Sequence, residues 1–420
     1  MGALGSKPTC SAFYHPHPHK TFITKWSCYN LYVFKNLFSF KNNYWLLTYL
    51  FIPLFAFNII ISGEQQYVYL AHAFSKFSFS LVELPKTLYD FSYFNGKYYW
   101  PIGPFPAVLL LPFVLIFNTN FSEGFIKFPL TIINLYLVYK ICQSLKLQNS
   151  KALFVAIFFI FGSIYTPVAS LPYSSYFAHI TATTLLLIAL LEFLNRRRYL
   201  LIGLTLSLAF LARPTTLSAV LFFLYFLKQK PDFLYNIFKL TLPILLSLIF
   251  TAYYNYARFG SILDSGYQYQ LIPEESVQRR AGGLFSTNYI PKNLYYLIFK
   301  PPDLVLTESH PKFPFLKYNP YGMSIFILSP ILLLIVRTDS KRKIVKISFI
   351  TILATLIPIL LYYGIGWRQI GYRYALDFAP FLLIPLVIAL KKINIKTIGI
   401  LVLSGVLITW FFIFEFLAGL

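Results

Sequence analysis

The chain has 420 residues, of which 57% are hydrophobic and only 12% charged, with 45 Phe and 33 Tyr. So few charges cannot cover a soluble domain, in which about a quarter of residues are charged, whereas helices facing lipid need none. The formal charge of +22 sits in short basic clusters between apolar runs, which is how membrane topology signals are arranged, so nucleic acid is excluded as a partner.

Residues 1–43 are polar and aromatic and lack the apolar core and small-residue cleavage site of a signal peptide. They are expected to form a disordered cytoplasmic tail. Met1-Gly2 with Ser6 fits a myristoylation pattern that has meaning only in a eukaryote. His15, His17 and His19 alternate with prolines, a pattern more typical of a disordered tail than of a metal site. Cys10, Cys28 and Cys142 have no spacing that suggests a disulfide framework or a zinc site.

A membrane helix needs about 20 apolar residues. From residue 44 onward, candidate spans lie at 44–62, 125–145, 152–169, 176–194, 199–212 and 214–227, then at 238–256, 321–336, 344–363, 375–390 and 397–418. A further apolar stretch, 102–118, is interrupted by Pro104, Pro106 and Pro112. The expected fold is an all-α polytopic bundle of about 11 spans, a multi-pass protein of the cell (inner) membrane, with residues 44–420 as one transmembrane module.

Cytoplasmic loops carry an excess of Lys and Arg, and one alternating topology places 22 of the 36 basic residues inside. It also places nine of the 14 acidic residues outside. This alternation makes 102–118 a re-entrant or juxtamembrane element, because 125–145 already supplies the crossing that brings the chain back inside. Loops 63–101 and 257–320 are then both external. Loops of this length are commonly functional.

Ionisable residues at membrane depth are functional candidates by default. The first loop offers Glu64, Glu83, Asp90 and Lys97, and Arg213 ends the 199–212 span. The second loop offers Arg258 and Asp264, and Arg368, Arg373 and Asp377 flank Gly371-Tyr372-Arg373-Tyr374. Such a set suits a lipid-linked phosphate donor, whose tail stays in the bilayer and whose phosphate sits at its surface. Arginines grip a phosphate with several directed donors, and a carboxylate facing the same space removes a proton from an acceptor hydroxyl. Glu64 is the first candidate base because it leaves a span directly, and Asp90 is the second.

Several passages carry a family likeness. One is Glu64-Gln65-Gln66-Tyr67 after the first span; another is Asn95-Gly96-Lys97-Tyr98-Tyr99 followed by Pro101-Ile102-Gly103-Pro104. Arg213-Pro214-Thr215, the run from Asn255 through Arg258 to Asp264-Ser265-Gly266-Tyr267, and Gly371-Tyr372-Arg373-Tyr374 complete it. In this order the chain resembles the bacterial GT-C glycosyltransferases, the polytopic group that includes protein O-mannosyltransferases and the aminoarabinose transferase of lipid A. Family members commonly have an acidic pair where this chain has Glu64-Gln65.

The resemblance implies inverting transfer of a sugar from a polyprenyl-phosphate donor to a glycan, lipid or protein acceptor outside the cytoplasm. It assigns the base to Glu64 and the donor phosphate to Arg373. The donor-side candidates are Lys97, Tyr98, Arg213, Arg258 and Asp264, together with Arg368, Arg373 and Tyr374. No cofactor is expected, and the sequence gives no support for a divalent metal. The competing readings are a lipid or sugar transporter, disfavoured because no internal repeat is visible, and a non-catalytic lipid-binding protein.

Overall fold

The computed structural model describes residues 44–59, 64–228, 232–306, 313 and 315–419. The tail 1–43 with its histidines and myristoylation pattern, the end of the first expected span, Gly63 and Lys230 lie outside the described residues. Two compact units are distinguished, 1–51 and 52–420; the helix Tyr44–Ile59 (α1) begins in the first, and every later described element belongs to the second.

Helices dominate the described residues. Gln66–Ser75 (α2) lies in the loop 63–101, and Phe105–Phe117 (α3) in the proline-interrupted stretch 102–118. There follow Gly124–Ser144 (α4), Asn149–Phe161 (α5), Tyr165–Ser170 (α6), Ser174–Asn195 (α7) and Tyr199–Ala212 (α8). Val220–Leu227 (α9) and Phe233–Phe259 (α10) precede the second loop, which carries Glu274–Arg280 (α11) and Ile290–Ile298 (α12). Ile325–Leu328 (α13), Lys343–Leu361 (α14), Ala379–Leu390 (α15) and Ile395–Ala418 (α16) complete the order.

Among the described residues, five helices are long and apolar enough to cross a membrane: α4, α7, α10, α14 and α16. α10, with 27 residues, is about 40 Å long at 1.5 Å per residue. The other expected spans appear as shorter or divided elements. The expected helix 321–336 is α13 followed by a 3-10 segment, Pro330–Arg337. Pro330 has no N–H to continue the α-helical ladder, and its ring excludes the turn before it. The expected span 152–169 divides at Gly162 into α5 and α6. Pro214 ends α8 and opens a 3-10 turn, Pro214–Ala219, as a proline boundary should.

α7 is the most buried of the five long helices and packs against α4 and α8. It carries polar residues on its buried surface, including His179, Thr181 and Thr183, so it lies inside the bundle and not along its rim.

The all-α expectation holds for the helical body, but the loops contain two short antiparallel pairs. Ser92–Phe94 (β1) pairs with Lys97–Tyr99 (β2), in the register Phe94 opposite Lys97. Asn95 and Gly96 make the turn with φ of 48° and 75°, the left-handed pair that a two-residue hairpin turn requires. The second pair is Asp303–Leu304 (β3) with Leu316–Lys317 (β4).

The hairpin leads into a core that anchors the first loop. Trp100 is fully buried and meets Tyr67 edge-on at 5.5 Å and Phe91 at 5.3 Å. Ala71 of α2, Leu110 of α3 and Phe177 of α7 close the cluster. Such aromatic pairs contribute about 0.5–1.5 kcal/mol each beyond area burial. Gly103 is required by close approach: a Cβ there would lie 2.1 Å from the Leu211 carbonyl oxygen. The Pro101-Ile102-Gly103-Pro104 turn is thereby pressed against the end of α8, beside Arg213.

Candidate functional site

Glu64 is held on its main chain. Its N–H donates to the Pro172 carbonyl at 3.0 Å, which fixes the segment before α2 against the turn before α7. The carboxylate is half-buried and accepts from Gln66 Nε2 at 3.1 Å. Burial pushes this carboxyl above the ordinary carboxylate range and the charge of Asp90 raises it further, while the Gln66 bond and the charges of Arg368 and Arg373 draw it back. Glu64, Asp90, Arg368 and Arg373 therefore form one electrostatic group. A carboxyl raised in this way is a stronger base once it is ionised.

Asp90 is brought there by the second loop. Its N–H donates to the Leu271 carbonyl at 2.9 Å, Leu271 N–H returns a bond to Phe91, and Gln270 Nε2 reaches the Asp90 carbonyl at 3.1 Å. The loops 63–101 and 257–320 are thus stitched together by main-chain bonds. Burial raises the Asp90 carboxyl and Arg373 opposes the rise. Asp90 and Arg368 both have left-handed backbones, with φ of 66° and 50°. Non-glycine residues there cost of order 1–3 kcal/mol and concentrate at functional sites.

Arg373 begins a 3-10 turn, Arg373–Asp377, just before α15. Its Nη1 donates to Gln369 Oε1 at 2.7 Å, and its guanidinium lies 5.4 Å from the Tyr176 ring and 5.0 Å from the Tyr374 ring. Aromatic faces hold a cation without neutralising it. Its Nε is buried with no hydrogen-bond partner among the described residues, a donor open to an anionic oxygen. Arg368 is exposed, and its carbonyl accepts from the Tyr176 hydroxyl at 2.9 Å.

The other candidates occupy different places. Arg213 is buried and committed to Asp377, through Nη2 at 2.9 Å and Nε at 3.3 Å. Asp377 also accepts from the Thr215 hydroxyl and meets His179 Nδ1 at 3.2 Å. Tyr374 lies over Arg213, 5.5 Å from its guanidinium carbon. The pair locks the Arg373–Asp377 turn to the start of the 3-10 turn after α8. Arg258, also buried, donates to the Trp100 and Tyr254 carbonyls and to Asn255 Oδ1, using all three guanidinium nitrogens. Asp264 accepts from Gly266 N–H and Gln268 Nε2, folding its own turn. Lys97 is exposed on the hairpin, and Tyr98 pairs its ring with Tyr93 at 4.9 Å. Arg258 thus ties the second loop to the first through the Trp100 carbonyl, whereas the contacts of Asp264 and Tyr98 stay within their own loops.

Two residues escaped the sequence reading. Tyr173 lies against Arg368 and feels the charge of Glu64. Glu123, at the start of α4, shares with Glu64, Lys127 and Tyr173 a small polar cavity of about 10 Å³. No local pattern marks either of them. A second crevice, apolar and only about 30 Å³ in volume, is lined by Phe158, Ile164, Leu332, Ala375, Ala379 and Leu383, among others. It opens behind the turn that carries Arg373. Among the described residues no three His, Cys, Asp or Glu side chains converge as a metal-ligand set.

No family model matches the chain, and no curated protein matches it. Two solved structures of an oligosaccharyltransferase from the archaeon Archaeoglobus fulgidus show similarity to it. The apo form aligns over 89% of this chain and 56% of that one, with 15% identity and a TM-score of 0.42. The oligosaccharyltransferase AglB from the same organism, in complex with an inhibitory peptide and a dolichol-phosphate, aligns over 90% of this chain and 55% of that one, with 15% identity and a TM-score of 0.39. The chain spans little more than half the length of these proteins.

Proposed function

We propose that the protein is a membrane glycosyltransferase that moves a sugar, with inversion, from a polyprenyl-phosphate donor to an acceptor on the extracytoplasmic face. The observation that carries this is the convergence of two carboxyl groups, Glu64 and Asp90, with two arginines, Arg368 and Arg373, where apolar helices end. The unpaired Nε of Arg373 supports a ligand with an anionic head.

In this mechanism the acceptor hydroxyl attacks the anomeric carbon as Glu64 takes its proton. The bond from that carbon to the phosphate oxygen breaks, and the electron pair leaves with the phosphate. Arg373, held between the Tyr176 and Tyr374 rings, stabilises the charge that builds there, with the exposed Arg368 adding a second positive charge. A single displacement inverts the anomeric centre. Asp90 supports the ionisation balance of the group and stands second as base. The active face is the extracytoplasmic one on the basic-cluster topology.

Purified protein in lipid nanodiscs, given radiolabelled polyprenyl-phosphate hexoses and pentoses, tests this. Release or transfer of labelled sugar supports it. Binding of the donors with no turnover, or movement of intact donor across vesicles, contradicts it and assigns a lipid-binding or transport role.

A further inference from the structure

We propose that Glu123 is a positioning residue for Glu64, its carboxyl and main chain clamping the segment Glu64–Tyr67 to the start of α7. This rests on the role given to Glu64 above. Glu123 Oε1 accepts from Tyr67 N–H at 3.0 Å and from the Ser174 hydroxyl at 2.5 Å. Ser174 Oγ in turn accepts from Gln66 N–H at 2.7 Å and lies 3.2 Å from the Glu64 carbonyl. On the other side, Glu123 N–H donates to Gln65 Oε1 at 2.8 Å. Residues 64, 65, 66 and 67 are thus each tied to Glu123 or to the hydroxyl it holds.

The chemistry of the donors explains why a carboxyl stands here. Tyr67 and Gln66 lie in the first turn of α2, where N–H groups have no partner within the helix. One oxygen of Glu123 and one hydroxyl of Ser174 satisfy both, in a place that is nearly closed to solvent: Glu123 is 4% exposed and Ser174 0%. A carboxyl serving only the dipole of α4 needs neither burial nor contact with residues more than 50 positions away. The bonds from Glu123 bypass the Glu64 side chain itself. Its carboxylate stays open to the shared cavity and to the arginines, while its backbone cannot move.

The test reads Glu64 directly. A hydrophobic carbodiimide modifies protonated carboxyls in apolar surroundings, and peptide mass spectrometry gives the Glu64 labelling rate against pH in the intact protein. Glu123→Gln keeps an oxygen that accepts from the same two donors, so its Glu64 profile stays within about twofold of wild type. Glu123→Ala and Ser174→Ala free the segment; each changes the rate by about fivefold or more and lowers kcat by about 10–100-fold with donor KM within about twofold, as expected when a reacting group drifts by a fraction of an ångström. The Ser174 variant removes no charge and carries the test if the Glu123→Ala protein does not fold. Unchanged Glu64 labelling in the alanine variants, or a glutamine variant as damaged as alanine, overturns the proposal. The expected labelling pattern in a protein that turns over no donor supports the clamp and counts against the transferase reading.

Discussion

Replacing Arg213 with methionine strands a carboxylate. Asp377 is 1% exposed and receives the guanidinium side-on at 2.9 and 3.3 Å; in Arg213→Met it keeps only the Thr215 hydroxyl and His179. A buried charge left in this way costs about 3–5 kcal/mol. Exchanging both members, Arg213→Met with Asp377→Leu, removes both charges, and such exchanges run from neutral to stabilising by about 1–4 kcal/mol. His179 and Thr215 lose a partner in the double variant, which offsets about 1–2 kcal/mol of that gain. Thermal unfolding in detergent should therefore rank the double variant clearly above Arg213→Met and close to wild type. Because Asp377 closes the turn that Arg373 opens, donor binding should fall in the single variant too. An Arg213→Met protein destabilised by less than about 1 kcal/mol, the range of an exposed pair, refutes this reasoning. So does a double variant no more stable than the single one.

Three further outcomes follow. Arg373→Ala should weaken binding of a polyprenyl-phosphate sugar by about 10–150-fold, the equivalent of about 1.5–3 kcal/mol for a charged hydrogen bond; equilibrium binding to labelled donor in nanodiscs reads it, and unchanged affinity removes Arg373 from the phosphate. Burial raises the Glu123 carboxyl from 4.5 to about 8; between these values the unfolded chain has lost a proton that the folded chain retains, so this contribution to stability is whole below pH 4.5 and is lost as pH rises through 8. At about 1.4 kcal/mol per unit, wild type should lose several kcal/mol across that window, while Glu123→Gln shows a much flatter melting profile, and parallel profiles would contradict the assignment. Cysteines placed at Ser80 and Arg197 in a background lacking native cysteines should react with an impermeant maleimide from outside and from inside respectively; labelling of both from outside rejects the proposed topology.

The candidates Glu64 and Arg373 stood out because their signals are local. Glu64 follows the first apolar run, and Arg373 precedes another, so each was expected at a membrane face from its neighbours alone. Asn95-Gly96 carries a turn requirement that any two-residue hairpin shares. What the chain does not spell out is pairing across distance. Arg213 and Asp377 are 164 positions apart, and nothing near either names the other; Arg213 therefore read as an open donor-binding arginine when it is committed to an ion pair. Arg258 was misread in the same direction, since a basic residue at a helix end gives no sign that the Trp100 carbonyl awaits it. Glu123 sits between two apolar elements with the look of an interfacial carboxylate, and its role depends on Ser174 arriving from the far side of α4. Pro330 was visible, but an apolar run of ordinary length outweighed it in the expected span 321–336, and the backbone follows the proline.

In the proposed reaction Glu64 takes a proton from the acceptor. Glu64→Gln leaves the shape and the Gln66 contact available but cannot accept a proton, so donor affinity should hold within about twofold while turnover falls by about 10²–10⁴-fold. Single-turnover transfer from a radiolabelled polyprenyl-phosphate sugar, measured beside equilibrium binding of the same donor in nanodiscs, separates the two. Turnover in Glu64→Gln within about threefold of wild type, at unchanged donor affinity, would contradict the assignment of the base.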